Sequence, residues 1–256
     1  MSLAATAMTT KDPTDTRPNL ISYLTLRKII GLLGLLLPVL LVVGSIVFST
    51  CVWPDIQSSI SGYYHTIMRD LFVGILCVVA FFLFAYEGYS RADAVAGKAA
   101  CVFALGVAFF PTRMDEPFTV CTIRPVFATY WVSELLTLDA VSKIHYLSAA
   151  LLFATFTFFS LVLFTKSKGK QTKQKVKRNF IYRVCGAVMA LCIVVLGFYF
   201  AFLEHTWLST YKPVFWLESL ALWAFGISWL TKGEFIFKDK AQTRIAKSTN
   251  SETHAY

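Results

Sequence analysis

A chain of 256 residues that is 56% hydrophobic and 15% charged, with a mean hydropathy of +0.60, carries more apolar surface than one soluble core of this size can bury. The excess needs an apolar solvent, so composition excludes an ordinary soluble domain and points to the bilayer. The net charge of +9 does not mark a nucleic-acid binder, because the basic residues sit in short segments between apolar runs, as membrane orientation requires.

Residues 1–28 form a polar tail containing Pro13 and Pro18. The first apolar run, about Ile29 to Val52 with Pro38 inside it, is too long for the core of a signal peptide and reads as an uncleaved first span. The second span runs from about Arg69 to Tyr89, and the third from about Ala94 to Phe110, ending at Pro111. The fourth covers about Ile144 to Thr165, the fifth about Phe180 to Leu203, and the sixth about Pro213 to Thr231. Pro213 suits the first position of a helix. Each run approaches the roughly 20 residues that cross about 30 Å of hydrocarbon. The expected fold is an all-α polytopic bundle of six spans over residues 29–231, followed by a basic tail over residues 232–256.

Orientation follows from the cations. Of the 24 Lys and Arg, 19 fall on one side: the N-tail, the second-to-third loop, the segment Lys166 to Arg183, and the C-tail. The other side keeps five, namely Arg69, Arg113, Arg124, Lys143 and Lys212. This asymmetry puts both termini in the cytoplasm. The basic run from Lys166 to Arg178 is sufficiently explained as a topology determinant, and it also suits anionic headgroups. The longest external segment, Pro111 to Lys143, contains an apolar stretch from Phe127 to Leu138 that lies on the membrane surface or folds back over the bundle.

With that topology, the polar residues gather at the external ends of the spans. His65 precedes the second span, His145 opens the fourth, and His205 follows the fifth. Asp70 begins the second span, Glu204 ends the fifth, and Glu218 lies about five residues inside the sixth. A carboxylate in an apolar helix is unfavourable by roughly 2.5–3.5 kcal/mol at midplane, so Glu218 must face the interior with a partner or be protonated. Its functional reading is a polar site open to the outer leaflet; its structural reading is a hydrogen bond between helices, for example to Arg69. On a helix, Ser61, His65 and Arg69 would stack along one face with Asp70 alongside, an arrangement suited to a metal or a phosphate. The structural reading of His65 is an interfacial ring bonded to a loop carbonyl.

Of six cysteines, Cys77, Cys101, Cys185 and Cys192 fall in apolar runs as small hydrophobes. Cys51 and Cys121 are external and form a candidate disulfide. Trp53, Trp207, Tyr211 and Trp216 read as an interfacial aromatic belt, and Gly31, Gly34, Gly186 and Gly197 as close-packing positions.

Five stretches together resemble an uncharacterised family of small polytopic membrane proteins found widely in bacteria. They are SISGYYHTIMRDLFVG from Ser59, FFPT from Phe109, IHYLSAALLF from Ile144, RNFIYRVCG from Arg178 and WLESLALWAFGISWLTKG from Trp216. The resemblance implies the topology and the bacterial cytoplasmic membrane, and no activity. A more distant resemblance joins Ser61-x-x-x-His65 to the membrane hydrolases that include alkaline ceramidases and adiponectin receptors. Those are similar to seven-helix bundles holding zinc with a further H-x-x-x-H pair, which this chain lacks.

Three functions are open at this stage. The first is a binding or accessory membrane protein whose external polar site recognises a lipid headgroup or a membrane-protein partner. The second is a zinc-dependent hydrolase of a lipid amide or ester. There His65 and His145 bind the metal with Glu218 or Glu204 as a third ligand, and Asp70 is the general base. The third is a proton-coupled carrier using Glu218 and Asp70. The chain has no Walker loop, no dinucleotide fingerprint and no G-x-S-x-G elbow.

Overall fold

The computed structural model describes residues 23–48, 56–113, 138–167 and 172–237. The candidate pair Cys51–Cys121, Trp53, residues 1–22 and 238–256 of the tails, and the apolar stretch of the long external loop up to residue 137 lie outside the described residues.

Among the described residues six α-helices follow one another and there is no strand. They are α1 (Tyr23–Phe48), α2 (Arg69–Phe84), α3 (Arg91–Phe109), α4 (Leu138–Phe158, prolonged by a π-helical turn at Phe159–Leu163), α5 (Lys173–Phe202) and α6 (Pro213–Lys232). Two short 3-10 turns, Ser61–His65 and Trp207–Tyr211, precede α2 and α6. Every helix except α2 is long and apolar enough to cross a membrane, so the chain is an integral membrane protein by its own construction. Helix α2 has 16 residues, about 24 Å at 1.5 Å per residue.

Local chemistry sets the helix ends. Ser90 caps α3, its N–H and Oγ donating to the Asp93 carboxylate at 3.0 and 2.6 Å. Thr172 caps α5 by accepting from the Lys175 N–H at 3.1 Å. Pro213 opens α6 as expected, entered through Lys212 in the left-handed region at φ 53°. Helix α2 stops at Phe84, short of the expected Tyr89, because the chain turns through Gly88 at φ +62°. Helices α1 and α5 begin earlier than their apolar runs, at Tyr23 and Lys173, so charged turns extend the spans at that end.

Helices α1 to α6 pack in chain order as a ring that closes with α6 against α1. Cross-contacts fix the alternation. Met68, at the start of α2, lies on Gly44 near the end of α1, while Tyr86 returns to Arg27 near the start of α1. Gly233, just past α6, sits on Leu24 and Lys28, so α1 begins and α6 ends at the same pole. That pole carries Arg27, Lys28, Arg91, the Lys173–Arg178 turn and Lys232, and is called the basic pole below.

The closing seam is made by glycine. A Cβ on Gly31 would stand 2.8 Å from the Gly226 carbonyl, and one on Gly226 2.7 Å from the Gly31 carbonyl, so the two backbones touch. Gly34 and Gly186 also face neighbouring side chains, whereas Gly197 meets nothing within 4 Å and does not serve packing as expected.

Inside the ring, Trp229, Phe159, Phe164, Tyr86, Tyr182 and Phe225 are fully buried, and Phe156 stacks on Phe225 at 3.9 Å between centroids. The π turn swings Ser160 to Ser228, with the hydroxyls 2.7 Å apart. Outside it, Val43, Val47, Phe81, Val102, Leu147, Leu191, Val194 and Phe198 stand exposed, the pattern of a surface made for acyl chains.

Candidate functional site

The pole opposite the basic one is closed by a polar cap built on residues 56–68 and 110–113. Its foundation is the N-terminus of α6, whose first amides have no partner within the helix. The Phe215 N–H donates to the Ser58 carbonyl at 2.9 Å, and the Lys212 ammonium donates to the Ile56 carbonyl. One turn further, Glu218 Oε2 accepts the Ile60 N–H at 2.6 Å. Three stitches thus lash the 56–60 strip along α6 and place the 3-10 turn Ser61–His65 over the bundle. Tyr63 and Tyr64 of that turn point inward, buried against Phe215 and Phe72.

A second set of bonds closes the exit of α3. His65 Nε2 pairs with the Thr112 carbonyl at 2.8 Å, and His145 Nδ1 with the Phe110 carbonyl at 2.6 Å. Two residues apart, those carbonyls bring the imidazoles together as electrostatic neighbours. The Thr112 hydroxyl donates to the Tyr146 hydroxyl at 3.0 Å, and Arg113 pairs with Glu204 at 3.1 Å. The cap therefore joins α2 and α6 to α3, and α3 to α4 and α5.

The expected site residues fare unequally. His65, His145, Glu218 and Ser61 do reach one pole, but His65 Nε2, His145 Nδ1 and Glu218 Oε2 engage backbone. The structural reading of His65, a ring bonded to a loop carbonyl, is what the geometry displays. Glu218 bonds between elements too, though to the Ile60 amide and not to Arg69. The stack of Ser61, His65 and Arg69 on one helix does not form, because the chain is extended at Thr66 (ψ 179°) between the 3-10 turn and α2. His145 does not open α4; it sits seven residues inside that helix and is 1% exposed. Asp70 turns outward, its side chain 75% exposed and 3.8 Å from the Arg69 Nε. Glu204 is held by Arg113, and His205 is exposed. Among the described residues, no three of His, Cys, Asp and Glu come together in a group able to hold a metal ion. Trp207, Tyr211 and Trp216 stand exposed at this pole.

His145 Nε2 and Ser219 Oγ are buried near the cap with no hydrogen-bond partner among the described residues. Both residues are 1% exposed. Ser219 adjoins Glu218 on α6, and spacing alone gave no reason to single it out.

A different group escaped the sequence reading altogether. Arg27 and Lys232, taken there for tail residues that set topology, lie inside α1 and α6 and are buried among aromatic rings. The available signal was Trp229, one helical turn before Lys232, together with Tyr86 and Tyr89 at the end of the second apolar run.

No protein-family model, no curated protein and no solved structure matches this chain.

Proposed function

We propose that the chain is a six-span protein of the bacterial cytoplasmic membrane with both tails in the cytoplasm. In this reading its external polar cap binds a lipid headgroup, without chemistry of its own. The charge asymmetry supports the orientation, and the ring of six alternating helices supports α2 as a span, its length made up by the 3-10 turn and residues 66–68 that precede it.

The observation that carries the ligand is His145. Its ring is buried at a helix–loop junction, Nδ1 is used on the Phe110 carbonyl with the Val107 carbonyl also in reach of the ring, and Nε2 makes no hydrogen bond of good geometry among the described residues. With Nδ1–H donating to a carbonyl, Nε2 is the acceptor of a neutral imidazole. A buried acceptor left open is unfavourable by about 1–3 kcal/mol. A hydroxyl of a polyol or sugar headgroup entering from the outer leaflet would satisfy it.

The hydrolase reading has less to stand on. Glu218 is engaged by Ile60, Glu204 by Arg113, and Asp70 faces outward, so His65 and His145 lack a third ligand and a base among the described residues. The carrier reading loses its titrating pair for the same reason.

His145→Asn separates ligand binding from architecture. Asparagine can still donate to the Phe110 carbonyl where Nδ1 does, but it has no group where Nε2 stands. Native mass spectrometry of wild type from its own membranes should show a retained polar lipid, and the variant should fold yet lose it. A variant that keeps the same lipid, or a wild type that carries none, refutes the reading.

A further inference from the structure

The basic pole presents a problem of charge balance. Arg27, Lys175, Arg178 and Lys232 converge on the interior mouth, and Arg27, Arg178 and Lys232 are 4%, 7% and 8% exposed. Two carboxylates face them. Glu234 lies 3.7 Å from Arg178, which also donates to the Phe237 carbonyl. Asp93, itself buried, lies within electrostatic reach of Lys232, and its Oδ2 is taken by the cap of α3. Lys175 is directed to the Phe164 carbonyl at 2.9 Å.

Neither Arg27 nor Lys232 has a carboxylate at ion-pair distance among the described residues: Arg27 reaches the Tyr86 and Tyr89 hydroxyls, and both cations lie against aromatic rings. The Arg27 guanidinium lies 5.5 Å from the Tyr86 ring and 5.3 Å from the Tyr89 ring. The Lys232 ammonium lies 5.0 Å from the Tyr89 and Phe164 rings, and forms no ion pair among the described residues. Arg27 Nε is buried with no hydrogen-bond partner, and so is Trp229 Nε1 on the same side of the interior. Cation–π contact compensates part of the desolvation of a charge, and a buried cation normally has an anion as well. Here two cations share one ring, Tyr89, which is 72% exposed at the end of the bundle. Moving that ring aside opens both cations to the membrane surface, at the level where a bilayer places its phosphates.

We infer that Arg27 and Lys232, with Tyr89 as a movable cover over an aromatic floor of Tyr86, Phe164 and Trp229, form a binding site for a phosphate monoester, carried by an anionic lipid or free in solution. A planar guanidinium fork beside a point-like ammonium is the donor set that phosphate oxygens require. The inference is independent of the cap, which lies at the other pole. The competing account is that ring faces alone keep the cations in place and the pole has no ligand.

The test uses the full chain in an uncharged detergent and phosphate-free buffer, titrated calorimetrically with three probes. These are dihexanoyl phosphatidate, inorganic phosphate and dihexanoylglycerol, which has the same chains and no phosphate. Phosphatidate should bind saturably and dihexanoylglycerol should not. Arg27→Gln/Lys232→Gln should weaken phosphatidate by about tenfold or more, while Lys173→Gln, exposed on the same pole, leaves it unchanged. Inorganic phosphate binding as well assigns the site to the phosphate group itself. Phosphatidate binding alone assigns it to lipid. If the double variant does not fold, Tyr89→Ala decides, because the exposed ring covers both cations and its removal should shift phosphatidate affinity several-fold. The inference fails if neither phosphate probe binds wild type, if the folded double variant binds like wild type, or if Tyr89→Ala leaves affinity untouched.

Discussion

The two poles of this bundle handle polar groups in opposite ways. At the cap, carboxylate and imidazoles are tied to backbone amides and carbonyls: Glu218 to Ile60, His65 to Thr112, His145 to Phe110. At the basic pole, Arg27 and Lys232 rest on aromatic faces. Backbone partners are fixed by the fold, so the cap is a clasp with a small remainder of unused atoms. Ring faces are soft partners that an anion can displace, so the basic pole keeps more of its binding capacity.

Perturbations graded by size sharpen that contrast. The largest effect should come from the seam that both poles share. Gly226→Leu drives a side chain into the α1 backbone, and a loss above about 3 kcal/mol is expected, seen as aggregation in size-exclusion chromatography. Gly197→Leu, with open space around it, should elute like wild type.

At the cap, Glu218→Leu removes the acceptor of a buried amide and should lower stability by about 2–3 kcal/mol in detergent unfolding. Glu218→Gln, which keeps a carbonyl oxygen there, should lose about half of that. An equal loss for both would mean that the charge, and not the hydrogen bond, fastens the strip to α6. His145→Ala should cost about 1–3 kcal/mol by the same measurement, and His145→Asn clearly less.

Midway between the poles, Ser160→Ala/Ser228→Ala should change stability by about 0.6 kcal/mol, the ordinary size of a hydrogen bond between membrane helices. Smallest of all, Glu204→Gln at an exposed pair should stay within about 1 kcal/mol and vanish in high salt.

The helices were legible because an apolar run of membrane length is a strong signal. Their ends were not, because a helix continues past the hydrocarbon wherever charged residues still pack. Arg27 and Lys232 look like tail residues in the sequence, and only the fold brings Tyr86, Tyr89 and Phe164 over them. At the cap, the sequence shows that His65, His145 and Glu218 reach one end of the spans. It does not show their partners, because backbone amides and carbonyls carry no letter. The extended residue Thr66, which breaks the anticipated stack of Ser61, His65 and Arg69, has no marker in composition either.

Which pole faces the cytoplasm decides how both sites meet their ligands, and cysteine accessibility measures it directly. Ser209→Cys, exposed beside the cap, and Ser167→Cys, exposed at the basic pole, are placed singly in a background without the native cysteines. A membrane-impermeant maleimide is then added to intact cells. The account predicts labelling of the residue-209 variant in intact cells and of the residue-167 variant only after permeabilisation. The reverse pattern, or labelling of both from outside, would contradict it.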